Sequence, residues 1–408
     1  MTEHNPKRLF YGSCFALITT AFSFSIRAGI LPQLAQEFDL SAQQLGFINS
    51  MFFFGFPISM VLGGIFYSSI GPKNIMIFAF FAHTLGIILT IFAGGYTGLL
   101  ISTLFIGLGN GCTEAACNPM IATAYSGKAM NTLLNRFHMW FPGGIVLGSL
   151  ISFVMTKADM GWEAQIWVIM IPTLIYAYLF YGQVFPKPKD DQIASLPSNL
   201  KAMITPLFLF MCLCMTLTAI SEFGPTQWAQ LILAKSGAEP MVILALITGL
   251  MAVGRYFGGE FVHKFDQTGV LLGSAIFTTI GIFLFSTQTG AMAYVAAVVF
   301  AIGVCYFWPN MIGFVAEKIP RSGAIGMSIV GAFGMLSTSI FQVIIGGWID
   351  NARADASSQG LQGDALELAA GQATLKTMMI FPIILIVLFT ILLFWVRSRK
   401  ASAAAVTH

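Results

Sequence analysis

PKPKDDQIASLPSN, residues 186–199, is the one long polar stretch in the middle of an otherwise apolar chain. Four of its fourteen residues are charged, whereas only 9% of all 408 residues are. A soluble globular protein carries about 25% charged residues. With 57% hydrophobic residues, a chain of this length cannot hide its apolar surface in a water-exposed fold, so its solvent is lipid.

A helix crosses the hydrocarbon with about 20 apolar residues. Six such stretches precede the polar segment, at 10–32, 44–69, 75–94, 97–124, 137–156 and 166–185. Six follow it, at 203–232, 241–262, 269–288, 291–316, 322–349 and 374–396. The expected fold is an all-α membrane protein of twelve transmembrane helices in two pseudo-symmetric six-helix bundles. Residues 1–185 form the N-terminal bundle, 186–200 a cytoplasmic linker and 201–408 the C-terminal bundle. MTEHNPKRLF lacks a small-residue cleavage site, so the first apolar stretch is expected to stay as a span.

Lysine and arginine in short loops set the orientation. With both termini cytoplasmic, thirteen fall inside and four outside (Lys157, Lys235, Arg353 and Lys376). The expected location is the plasma membrane, of the bacterial inner-membrane type. The outer segment 350–372 is long enough for a short surface helix.

The halves echo each other. GPKN (71–74) follows span two, and GGEFVHKFD (258–266) follows span eight. Span four holds Asn118-Pro119 after a run of glycines, and span ten holds Trp308-Pro309-Asn310 after Gly303. Repeated six-helix halves place a substrate site near the midplane between them.

Ionisable side chains at bilayer depth cost roughly 2.5–3.5 kcal/mol each on insertion scales. Arg27, Glu114, Glu222 and Arg255 lie inside apolar segments, which points to pairing or to a wet path. Glu114 and Asn118 are four residues apart and share a helix face. Pro119 leaves the carbonyl of Ala115 without its helical donor. This set suits a polyol or a proton, and Glu114 and Arg27 are the expected proton-coupling pair; the plain alternative is a permanent ion pair tying spans four and one. Arg27 has a planar fork suited to a carboxylate, so it could anchor an anionic substrate instead, or snorkel to the outer interface.

Glu222 precedes Gly224-Pro225, where a bend is expected, and Gln227 and Trp228 follow. A carboxylate, an amide and an aromatic face resemble a sugar-binding set, although Trp228 could equally belong to the interfacial belt. Asn135 and His138 open span five; the histidine could titrate near neutrality or line the cavity floor. Arg255 could pair with Glu222 or Glu260, as a gate or structural pair. Trp308 and Asn310 flank Pro309, which frees the carbonyl of Cys305, and both are candidate substrate contacts. His83 reads as a satisfied residue at a helix interface.

Six cysteines in apolar segments show no metal spacing, and neither a catalytic set nor a phosphate loop with lysine is present. The expectation is therefore a non-enzyme without cofactor or metal, driven by an ion gradient, most simply protons. Its partners are a small hydrophilic substrate, protons and the bilayer, not nucleic acid. A monomer is expected.

GLGNGCTEAACNP (107–119) and LLNRFHMWFPGGIVLG (133–148), within two six-helix halves, resemble the fucose–galactose–glucose:proton symporter branch of the major facilitator superfamily. The correspondence falls on Glu114, Asn118, Pro119, Leu134, Asn135, His138 and Gly144. It implies the major facilitator fold and proton-coupled uptake of a sugar or sugar derivative by alternating access. Two departures stand out. The superfamily's Asp-Arg after span two is replaced by Ser68 and Ser69, and span one offers Arg27 where the sugar branch offers an acid. A cation in span one also resembles organic-anion members, so carriage of a sugar acid or carboxylate anchored by Arg27 or Arg255 is the alternative. A non-transporting membrane sensor is a further one.

Overall fold

The computed structural model describes residues 5–124, 127–186 and 201–406. Residues 187–200, nearly all of the expected linker, lie outside it. Among the described residues every regular element is helical. Eleven helices are long and apolar enough to cross a membrane, and the shorter apolar helix Pro240–Tyr256 completes twelve spans. Spans one to six are Pro6–Glu37, Ala42–Tyr67, Ser69–Ile91, Tyr96–Ile121, Arg136–Lys157 and Trp162–Phe180. Spans seven to twelve are Pro206–Gln227, Pro240–Tyr256, Phe265–Thr287, Ala291–Val315, Ile325–Ser358 and Gly363–Arg399. Twelve crossings bring both termini to one face, termed the near face; the other is the far face.

The repeat read from GPKN and GGEFVHKFD is visible in the backbone. Spans two and three form one helix broken at Gly71 (φ 76°, ψ 159°), and spans eight and nine form one broken at Asp266 (φ 57°, ψ 155°). Glycine adopts this region at little steric cost. Asp266 holds the same turn with a Cβ in place, so the second join is the strained one.

Other boundaries moved for identifiable reasons. Span seven passes through Gly224 and Pro225 and is interrupted only at Trp228, after which Ala229–Ile232 adds one turn. The bend expected at the proline is thus displaced by three residues. Span eleven continues to Ser358, turns at Gly360 (φ 83°) and returns as the helix Gly363–Met378. The outer segment is therefore a helical hairpin. Arg353 pins it by donating two hydrogen bonds to the Glu367 carboxylate, at 3.1 and 2.8 Å.

The halves meet mainly through the far ends of spans two and eleven. Ser41 and Gln44 form a reciprocal cap on span two, at 2.9 and 3.1 Å. The next two orphan donors, the amides of Ala42 and Gln43, bond to the Asp350 carboxylate at 3.0 and 2.8 Å. A carboxylate from one half thus caps a helix N-terminus of the other. Just below, Ser339 donates to the Ser50 carbonyl at 2.7 Å. Gly46 and Gly346 have no room for a Cβ, because the backbone carbonyls of Gln342 and Ala42 stand in its place.

Candidate functional site

Phe24, Phe52, Phe53, Phe141 and Phe223 form a plug of edge-on and tilted rings, with centroids 5.0–6.3 Å apart. It joins spans one, two and five to span seven. Nothing in the sequence separates these five from the other 33 of 38 phenylalanines that could face lipid.

Beside the plug a small cavity is lined by Phe24, Pro142, Glu222, Thr248, Met251 and Arg255, among others. Its volume of about 20 Å³ accommodates one water molecule. Glu222 is 7% exposed. Its Oε1 lies 4.0 Å from an Arg255 terminal nitrogen. Arg255 Nε donates to the Cys305 carbonyl at 3.0 Å. That carbonyl is the one deprived of its donor by Pro309, and the helix of span ten opens there, between Val304 and Phe307. Tyr306 Oη donates to the Gly254 carbonyl at 2.8 Å, so the opened turn is held to span eight twice.

The ion pair that was the plain alternative for Arg27 and Glu114 does not form. Asn110 of span four donates to Ser23 of span one at 3.2 Å, and this contact fixes the register of two antiparallel helices. Arg27 is then level with Ile106, and Glu114 lies eight residues further along span four, about 12 Å at 1.5 Å per residue. Glu114 instead accepts from Asn118 Nδ2 at 2.7 Å. Arg27 is 3% exposed, so it does not snorkel. It makes no ion pair among the described residues, and its Nη2 has no hydrogen-bond partner.

Other nominated residues carry the same signature. Asn118 Oδ1, Gln227 Nε2, Trp228 Nε1 and Asn310 Nδ2 are buried without a partner among the described residues. Buried polar groups are nearly always satisfied, so five such residues among those nominated are noteworthy. Trp228 is fully buried, which excludes it from an interfacial belt. Trp308 packs its ring on Gly331 and Gly334 of span eleven. His138 is exposed, with its ring 5.0 Å from Phe137. The side chains of Asn135 and Glu260 lie outside the described residues.

His83 is satisfied on both ring nitrogens, by Tyr176 Oη at 3.0 Å and Asn110 Oδ1 at 2.9 Å. With Ser23 this makes a buried chain through spans six, three, four and one. Sequence reading identified the histidine but not its partners. The signal was a polar residue at matching depth in each span.

Two relatives and one solved structure are similar to this chain. The chain is 28% identical over 160 residues to the hexuronate transporter of Bacillus subtilis (strain 168), covering 39% of this chain and 37% of that protein. It is 32% identical over 155 residues to the L-fucose-proton symporter of Escherichia coli (strain K12), covering 37% and 35%. The matched stretches thus span little more than a third of either relative. The fold matches that of a bacterial homolog of the human lysosomal transporter Spinster, solved in an inward-facing and unoccupied conformation. The TM-score is 0.79 at 16% identity, over 94% of this chain and 96% of that one. The family model described as Major Facilitator Superfamily matches residues 13–342. With twelve spans, a repeated join in each half and that match over most of its length, the chain belongs to the Major Facilitator Superfamily.

Proposed function

We propose that this transporter carries a small organic anion, of the sugar-acid or carboxylate type, by proton-coupled alternating access. Arg27 is the observation that carries the reading. A guanidinium that is 3% exposed, unpaired, and short of a partner at Nη2 is an expensive arrangement in a membrane interior. A carboxylate offers that fork two oxygens in matching geometry. Gln227, Trp228 and Asn310 supply further unpartnered donors for hydroxyl or carboxylate oxygens. The hexuronate transporter among the relatives is named for a cargo of this class.

The closed far face fits a state open toward the near face, which the positive-inside asymmetry makes cytoplasmic. The inward-facing neighbour supports that assignment. A second reading, proton-coupled uptake of a neutral sugar, is favoured by the Glu114–Asn118 pair, a carboxyl and an amide on one helix face. The L-fucose-proton symporter relative agrees with it.

Thermal unfolding of the purified protein with sugar acids and with their neutral parent sugars separates the two. The anion reading expects stabilisation by sugar acids alone, and its loss in Arg27→Gln. Equal stabilisation by the neutral sugars would replace it with the sugar reading, and an unchanged response in Arg27→Gln would remove Arg27 as the anchor.

A further inference from the structure

Among the described residues, four formally charged groups are recessed from both faces of the spans: Arg27, Glu114, Glu222 and Arg255. Their formal charges sum to zero, and His83 is occupied by neutral hydrogen-bond partners on both nitrogens. A monovalent anion entering this interior leaves one uncompensated negative charge, which a low-dielectric interior strongly disfavours. One proton taken up by a carboxylate restores neutrality. The two carboxylates are not equally placed to take it. Glu114 is held by its own helix neighbour Asn118 at 2.7 Å. The Glu222 carboxylate accepts no hydrogen bond among the described residues, stands 4.0 Å from Arg255 and lines the water-sized cavity between the halves.

We infer that Glu222, not Glu114, is the group that carries the transported proton, and that Arg255 links its charge to the open turn of span ten. The inference rests on the proposed proton coupling. The step is a simple protonation, with a proton from the far-face medium converting the carboxylate to the neutral acid and leaving again to the near-face medium. No other bond changes. Facing Glu222 across the cavity, span one offers Phe24, span five Phe141, Pro142 and Ile145, and span eight Thr248, Met251 and Arg255. Beyond them span ten contributes the Cys305 thiol and the Tyr306 hydroxyl. Arg255 is the cation of this set, and its Nε is already committed to the Cys305 carbonyl. Neutralising Glu222 therefore removes the charge opposite Arg255 while that arginine still grips the break in span ten. This is the element that would have to move for the site to change sides.

Infrared difference spectra of the protein in liposomes, taken on acidification, test this without any cargo. One component of the carboxylic C=O band should appear in wild type and Glu114→Gln and be missing in Glu222→Gln. Glu222→Asp should keep that component at a displaced frequency, which covers the event that the Gln variant folds poorly. A component lost in Glu114→Gln, with none missing in Glu222→Gln, would overturn the assignment. Uptake supplies the second arm. Glu222→Gln should lose accumulation driven by a pH gradient while keeping counterflow exchange. If wild type accumulates a neutral sugar and no sugar acid, and Glu222→Gln loses that accumulation, the anion reading fails and the proton assignment stands. If Glu222→Gln accumulates cargo like wild type, the assignment fails whatever the cargo.

Discussion

Replacing Asp350 with Asn should open the far face. Its carboxylate accepts from the amides of Ala42 and Gln43 at 3.0 and 2.8 Å, joining the end of span eleven to the first turn of span two. A hydrogen bond to a charged group contributes about 1.5–3 kcal/mol, and a carboxylate at a helix N-terminus about 0.3–1 kcal/mol more. The side chain is 32% exposed, so solvent weakens both. Asparagine keeps one acceptor oxygen, and with it one of the two bonds. The net loss is then about 1–2 kcal/mol, which shifts a two-state ratio by about 5–30-fold. Distances between spin labels at the exposed far-face positions Met160 and Ser357 would report it. All six native cysteines are buried, which favours selective labelling at these positions. Asp350→Asn should add a longer-distance population at the expense of the compact one. A distance distribution identical to that of the parent would refute the view that this carboxylate latches the halves.

Gly346→Val should act at the same interface by a different mechanism. Its Cβ would fall on the Ala42 carbonyl, and overpacking of this kind costs about 1–3 kcal/mol. The spin-label distance between Met160 and Ser357 should gain a longer population, and an unchanged distribution would show that the interface yields without opening. His83→Ala should lower stability, because it strands Tyr176 Oη and Asn110 Oδ1 without their partner. At about 1–3 kcal/mol for each unsatisfied group, the loss is about 2–6 kcal/mol, read as a fall in melting temperature. A melting temperature equal to wild type would mean that the chain of hydrogen bonds does not hold spans three, four and six together.

Hydropathy made the spans legible because lipid imposes one length on every helix. The repeat was legible because the two joins need the same backbone turn, at Gly71 and Asp266. Charged residues inside spans were legible as unusual, yet their pairing was not. Whether Arg27 meets Glu114 depends on the relative height of spans one and four, and the Ser23–Asn110 contact sets that height in three dimensions. The reading of Pro309 carried further than that of Pro225. Pro309 coincides with an opened turn whose freed carbonyl finds Arg255 as a donor from another span. Span seven absorbs Pro225 and continues to Gln227. The phenylalanine plug was invisible because a ring facing a partner helix and a ring facing lipid leave the same mark in the sequence. Asp350 reads as an ordinary loop acid until the hairpin of spans eleven and twelve brings it over the start of span two.

The anchoring role of Arg27 is the centre of this account, and uptake in proteoliposomes tests it most directly. Under an imposed pH gradient, wild type should accumulate a radiolabelled sugar acid over its neutral parent sugar, and Arg27→Gln should accumulate neither above the protein-free background. Undiminished sugar-acid accumulation by Arg27→Gln would contradict it.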